Sequence, residues 1–330
     1  MNNTNSQTIH PVKFTNKYIE KDVADIFYDY DLPKGKRFLT VPDGDNALTV
    51  WTGILPPLDL IKHWIDHLTH HRVCKPLCLF GETGTGKTHF FEYVCARMGF
   101  PLNRVNIHED MLSADLEGSK ELVNGETRIK LSSITRAYEK GGIILIDEVD
   151  KAPVGVQHFL HALLDRRELS LIACNTSISA SENTVIVCTA NTNGSGDSQR
   201  YHSSVCFDKS LSRRMKFVKT NYPTPDVEMS FIEKQCPSMP KSIVTLICLS
   251  AESLRRALID TDEFQAPFGP GDSLSWAIEM GIHSKLTPAE VLGFVYTNSL
   301  AQLEQDLANK IVAEHWKEKF NQPIATLTNS

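Results

Sequence analysis

Gly81-Glu82-Thr83-Gly84-Thr85-Gly86-Lys87-Thr88 puts three glycines, a lysine and a terminal hydroxyl into one short loop. Glycines at 81, 84 and 86 let successive backbone N–H groups turn inward, where phosphate oxygens would sit. Lys87 would reach the β- and γ-phosphates of a nucleoside triphosphate, and the Thr88 hydroxyl would ligate Mg²⁺. At average residue usage, a chain of this length matches the four specified positions by accident about once in a hundred. A second stretch, Ile143 to Ile146 followed by Asp147-Glu148, ends an aliphatic run on two carboxylates. Asp147 would hold the Mg²⁺ shell and Glu148 would polarise the attacking water. Asn191, after the apolar run Thr184 to Thr189, would orient that water. Arg213 or Arg214, in the basic segment Lys209 to Lys219, would reach a neighbouring subunit's γ-phosphate, and the alternative for this segment is a solvated surface run.

These residues need a particular scaffold. The loop follows the apolar run Leu77 to Phe80 and opens onto a stretch with Phe90, Phe91, Val94, Cys95 and Met98 on one helical face. That is a buried strand, a loop and a helix lying on a sheet, with phosphate at the positive end of the helix dipole. Carboxylates closing a wholly apolar strand fall at the carboxyl end of a parallel sheet, where ligands bind. Further strands are expected over 102–107 and 184–189, and helices over 56–72, 132–140 and 156–166. Asn124-Gly125 between strand formers marks a hairpin over 121–129, and a second is expected over 168–178. Residues 19–27 read as a short helix. Tyr222-Pro223-Thr224-Pro225 reads as a linker, followed by helices over 227–234, 243–259, 273–280 and 288–319. The last of these starts from a capping box at Thr287 to Glu290 with Pro288 at its first position.

A chain of 330 residues holds one α/β domain and a smaller one. The net charge of −6 gives no general attraction to nucleic acid or to an anionic membrane. The N-terminal residues 1–10 lack the apolar core of a secretory signal. Eight cysteines, mostly inside apolar runs and with no C-x-x-C, read as reduced core thiols and a cytoplasmic protein. His63, His67, His70 and His71 share a helical spacing that a divalent metal would accept. The alternative is a solvated histidine face, since no Cys or Glu completes a ligand set.

With these motifs in hand, the chain resembles AAA+ ATPases of the MoxR type, nearest the branch of the cobaltochelatase ATPase subunit (CobS) and the CbbQ, NirQ and NorQ activators. GETGTGKT, RVNIHEDMLSADLEG, IILIDEVDKAP, LLDRREL, CTANTNGSGD and SRRMKF carry the resemblance. It implies a P-loop αβα sandwich around a parallel sheet over residues 46–225, a helical lid over 226–330 and an N-terminal arm or small element over 1–45. It also implies ATP and Mg²⁺, a ring that is often hexameric, and a partner bearing a von Willebrand A domain. The two hairpins match family insertions, Asn191 stands at the sensor-1 position, and Arg213/Arg214 stand at the arginine finger. The chain departs from the family at 269–274, where Gly-Pro-Gly-Asp-Ser-Leu lacks the usual sensor-2 arginine. Either Arg255/Arg256 replaces it or the lid is coupled more weakly to nucleotide.

Three functions share this chemistry: a remodelling motor acting on a client or a metal centre, a nucleic-acid-stimulated motor or restriction-type NTPase, and a slow nucleotide-gated scaffold. The charge disfavours the second, and the missing N-K-x-D signature favours ATP over GTP. A chelatase role rests on resemblance alone.

Overall fold

The computed structural model describes residues 17–43, 52–192, 209–261 and 264–328. The 1–10 tail, the boundary near residue 45, Cys206 and the sensor stretch from Asn193 onward lie outside them. The chain forms two compact units. The first comprises residues 1–51, 55–81 and 87–219, and the second comprises 52–54, 82–86 and 220–330.

The first unit opens with β1 (Tyr18–Asp22), α1 (Val23–Ile26) and β2 (Phe38–Pro42), the two strands pairing antiparallel. The helix expected over 19–27 therefore begins only at Val23. Strand pairing claims the residues before it, and the Asp22 carboxylate accepts the Ala24 N–H at 2.9 Å as the N-cap. There follow α2 (Leu58–Thr69), β3 (Leu77–Phe80), α3 (Lys87–Met98), β4 (Leu102–Asn106) and α4 (Ser113–Glu117). The hairpin of β5 (Gly118–Val123) and β6 (Glu126–Leu131) turns on Asn124 and Gly125, both at positive φ (53° and 82°), as a two-residue hairpin turn requires. Next come α5 (Ser133–Lys140), β7 (Gly142–Asp147), α6 (Val154–Leu164), the hairpin of β8 (Leu169–Leu171) and β9 (Thr176–Ile178), and β10 (Thr184–Ala190). The unit ends with α7 (Lys209–Ser212) and β11 (Lys216–Lys219).

Five of these strands form a parallel sheet in the order β11-β3-β10-β7-β4. Alternation along each strand feeds two apolar layers. Leu77, Leu79, Ile143, Leu145, Val185 and Val187 pack with α2 and α3 residues such as Trp64 and Phe91. Cys78, Ile144, Ile146, Ile186 and Cys188 pack with α5 and α6 residues such as Tyr138 and Leu160. Both faces are covered, which is why the central strands are continuous aliphatic runs.

The second unit contains α8 (Pro225–Gln235), α9 (Lys241–Asp260), α10 (Pro270–Ile282), α11 (Pro288–Val295), α12 (Gln302–Trp316) and α13 (Ile324–Thr328). Its core holds Trp276, Trp316, Phe264 and Phe268. The capping box at Thr287 forms as expected, the hydroxyl accepting the Glu290 N–H at 3.2 Å and the Glu290 carboxylate accepting the Thr287 N–H at 2.8 Å. The single helix expected over 288–319 is instead broken between α11 and α12. Tyr296 leaves helical geometry, its hydroxyl donating to Ala266 O at 2.7 Å and its ring lying 4.8 Å from that of Phe268. The Ser299 hydroxyl then bonds Tyr296 O at 2.7 Å, a local contact that competes with helix continuation. Among the described residues, no helix is long and apolar enough to cross a membrane.

The four histidines do not form a common face. His67 joins the buried stripe beside Trp64, His63 is exposed, and His70 and His71 lie beyond the end of α2. His71 is committed to backbone carbonyls, with Nδ1 2.7 Å from Leu68 O and Nε2 3.1 Å from Glu182 O. Neither ring nitrogen of His67 has a hydrogen-bond partner, and burial depresses its pKa from 6.5 to about 3. Folded His67 is neutral, whereas the unfolded side chain takes up a proton below pH 6.5. Its contribution is therefore present above pH 6.5 and is lost as pH falls toward 3, at about 1.4 kcal/mol per pH unit. His67→Phe should flatten the fall in melting temperature between pH 6.5 and 4.5 relative to the parent chain. Parallel slopes in the two proteins would contradict this.

Candidate functional site

The sheet order decides which strand ends meet. β10 lies between β3 and β7, so residues leaving its carboxyl end stand between the loop strand and the acid strand. Asn191 follows β10, and its side-chain carbonyl accepts from Lys87 Nζ at 3.1 Å. Lys87 Nζ also donates to Gly81 O at 2.7 Å. On the other side of Lys87, Thr88 at the start of α3 donates to Asp147 Oδ1 at 3.0 Å. The sheet therefore brings together the loop lysine, the loop hydroxyl, the metal-site carboxylate and the sensor amide named from sequence.

Asp147 is buried, with a hydroxyl or a charge on each oxygen. Oδ1 accepts from Thr88 and from the Thr189 hydroxyl, while Oδ2 forms an ion pair with Arg104 Nη2 at 2.5 Å and lies 3.3 Å from the Thr88 hydroxyl. Thr88 and Asp147 offer hard oxygen donors side by side, a set that fits Mg²⁺. Glu148 turns out of β7 in left-handed geometry (φ 56°, ψ 44°), which costs about 1–2 kcal/mol for a residue with a Cβ. That bend separates the two adjacent acids. The Glu148 N–H is held by Thr189 Oγ1 at 3.0 Å, and its carboxylate, one-third exposed, meets Lys151 Nζ at 3.0 Å.

Asp150 is fully buried, and its Oδ2 accepts the N–H groups of Asn191 (2.9 Å) and Thr192 (3.1 Å). It thereby fixes the backbone that carries the Asn191 side chain. Arg104, Asp150, Lys151 and Thr189 carried no role in the sequence reading. The available signals were a charged residue inside the strand paired with the aliphatic run 143–146 and a third acid two residues beyond Glu148. The two arginines of the basic segment differ. Arg214 is tied within its own chain, Nε to Asp165 Oδ1 at 2.9 Å and Nη1 to Ser210 O at 2.7 Å. Arg213 is exposed, with no ion pair among the described residues.

Within the second unit, the loop residues Glu82–Gly86 have their own contacts. Gly84 and Gly86 both take φ of 83°, as the curled loop requires. Thr85 Oγ1 donates to Glu82 O at 2.8 Å and lies 2.9 Å from Thr220 Oγ1, and the Tyr222 hydroxyl donates to Thr83 O at 2.7 Å. A Cβ on Gly84 would come within 3.1 Å of Gly269 Cα, a tight contact that adds to the cost of its positive φ. Neither arginine considered for the sensor-2 role is uncommitted. Arg255 is buried in a two-pronged pair with Glu228 (2.6 and 2.8 Å), donates to Phe268 O at 2.8 Å and lies over the Tyr222 ring. Arg256 pairs with Glu252 at 2.6 Å on the surface.

The AAA domain (dynein-related subfamily) matches residues 76–215. Protein NorQ of Paracoccus denitrificans (strain Pd 1222) is 32% identical over 163 residues, 48% of this chain and 57% of that protein. Aerobic cobaltochelatase subunit CobS of Sinorhizobium sp is 26% identical over 251 residues, 73% of this chain and 74% of that protein. Von Willebrand factor A domain-containing protein 8 of Mus musculus is 29% identical over 111 residues, 33% of this chain and 6% of that protein. The match to NorQ thus spans a little over half of that relative's length. With the loop, the two acids and the sheet order already in place, residues 76–215 match the AAA domain, and the chain is similar to NorQ and to CobS.

Proposed function

We propose that this chain is a Mg²⁺-dependent ATP hydrolase working as a motor in a homo-oligomeric ring, with a client protein or metal centre as its load. The observation carrying this reading is the contact of Thr88 with Asp147 beside the Lys87–Asn191 contact. A loop that ends in Lys-Thr there faces the carboxylate and the amide that triphosphate cleavage needs. Backbone N–H groups of the glycine loop and Lys87 would bind the phosphates. Thr88 and Asp147 would hold Mg²⁺, which when bound neutralises charge on the phosphate oxygens. Glu148 takes a proton from water, and Asn191 orients that water from the neighbouring strand end.

Of the two finger candidates, we assign the trans role to Arg213. An arginine spent on Asp165 and a carbonyl of α7 cannot also reach a neighbour, whereas Arg213 stands in solvent. A ring, often hexameric in related proteins, gives such a residue its partner site. The similarity to CobS and to a protein named for its von Willebrand A domain supports a partner of that kind, and CobS supports a role near metal-centre maturation. The buried free thiols suit a reducing, cytoplasmic setting.

Glu148→Gln should retain ATP binding and lose turnover by at least about a hundredfold, read as nucleotide binding by calorimetry against phosphate release. Near-normal turnover in that variant would remove Glu148 as the base. Arg213→Ala should lower kcat by about 10³ or more with little change in ATP affinity. Arg214→Ala should mainly lower the melting temperature. In rings mixed with Glu148→Gln subunits, Arg213→Ala subunits should regain activity wherever an intact Arg213 faces their site. If Arg214→Ala shows the kcat loss instead, the assignment is reversed.

A further inference from the structure

Arg104 is a charged residue inside β4, beside the aliphatic run of β7. It stands on β4 opposite Leu145 of β7, two residues before the strand end. Its side chain is about half exposed (47%) and its guanidinium spans two elements, Nη2 lying 2.5 Å from Asp147 Oδ2 and Nη1 3.9 Å from Glu92 Oε1 on α3. Glu92 is shared with His89 on its own helix, 3.3 Å away. The longer Glu92 contact leaves Asp147 as the main partner.

A carboxylate turns readily about its terminal torsion, so a metal-site Asp needs something to fix its plane. Here the two oxygens are set apart in role. Oδ1 receives the hydroxyls of Thr189 and, at 3.0 Å, of Thr88, which also lies 3.3 Å from Oδ2, and Oδ2 takes the guanidinium. Thr88, at the loop end, lies nearer the oxygen that Arg104 does not occupy. We propose that Arg104 is a positioning residue for Asp147: it anchors Oδ2 so that Oδ1 is presented beside Thr88 for the divalent cation. This rests on the reading of Asp147 as a metal-site carboxylate. Two effects of Arg104 on a bound cation oppose each other. Its positive charge repels the metal, but the guanidinium is half in water and that repulsion is screened. The direct contact with the carboxylate is not screened in this way, so orientation outweighs repulsion. Groups behind a metal's direct ligands typically change metal affinity by about 10–100-fold when removed.

The test is Mn²⁺ binding, followed by electron paramagnetic resonance, to the full chain loaded with a non-hydrolysable ATP analogue. Arg104→Gln should weaken Mn²⁺ binding by about tenfold. Arg104→Lys, which keeps the charge but loses the planar fork, should fall between Arg104→Gln and the parent chain. Unchanged or tighter binding in Arg104→Gln would overturn the proposal, and tighter binding would mean that Arg104 opposes the metal. Asp147→Asn separates this from the underlying reading. If Asp147→Asn weakens Mn²⁺ and Arg104→Gln does not, only the positioning role fails. If Asp147→Asn leaves Mn²⁺ binding intact, the reading of Asp147 fails and takes the proposal with it. Melting temperatures of all three variants show whether the fold is retained.

Discussion

One contact holds the site together: the hydroxyl that ends the glycine loop donating to the carboxylate that ends β7, Thr88 to Asp147 at 3.0 Å. The two residues are 59 apart in the chain, and only the parallel sheet makes them neighbours. A parallel sheet with both faces covered puts every strand's carboxyl end at one edge. The order β11-β3-β10-β7-β4 then places β10, with Asn191 behind it, between the loop strand and the acid strand. Without that insertion, Lys87 could not be shared between its own loop carbonyl and the Asn191 side chain.

Holding so many polar groups at a buried edge demands that each be answered. Thr189 does this twice over, accepting the Glu148 N–H and donating to Asp147. Asp150 takes two backbone N–H groups just past β10. An unpaired buried group of this kind would cost about 1–3 kcal/mol, so these side chains are as necessary to the geometry as the residues they hold. Glu148 accepts a left-handed backbone in return for pointing away from Asp147, and Lys151 meets its carboxylate. Strain of this kind is tolerated where the surroundings fix it, and here Thr189 is the fixing group.

The local signals were legible in the sequence. The glycine loop, the aliphatic strands, the Asn124-Gly125 turn and the Thr287 capping box are each written in a few consecutive residues, and each forms. Long-range competition was not legible. Residues 18–22 have no local mark that separates a strand from a helix start, and it is β2 that decides. Tyr296 ends α11 because a carbonyl at Ala266 and a ring at Phe268 claim it. Helical spacing alone could not tell that His67 turns into the core while His63 faces water. The supporting cast of the site was invisible for the same reason, since Arg104, Asp150 and Thr189 gain their meaning from strand order. Which of Arg213 and Arg214 is tied down likewise depends on Asp165, 49 residues away from Arg214.

The central claim is that the glycine loop and the closing acids form one triphosphate-cleaving site. Its most direct test is to measure ATP binding and phosphate release by the purified chain, at several protein concentrations, with Mg²⁺ and with the ion chelated. The account predicts bound ATP and steady turnover that stops on chelation. Absence of both binding and cleavage at every concentration, with Mg²⁺ supplied, would contradict it.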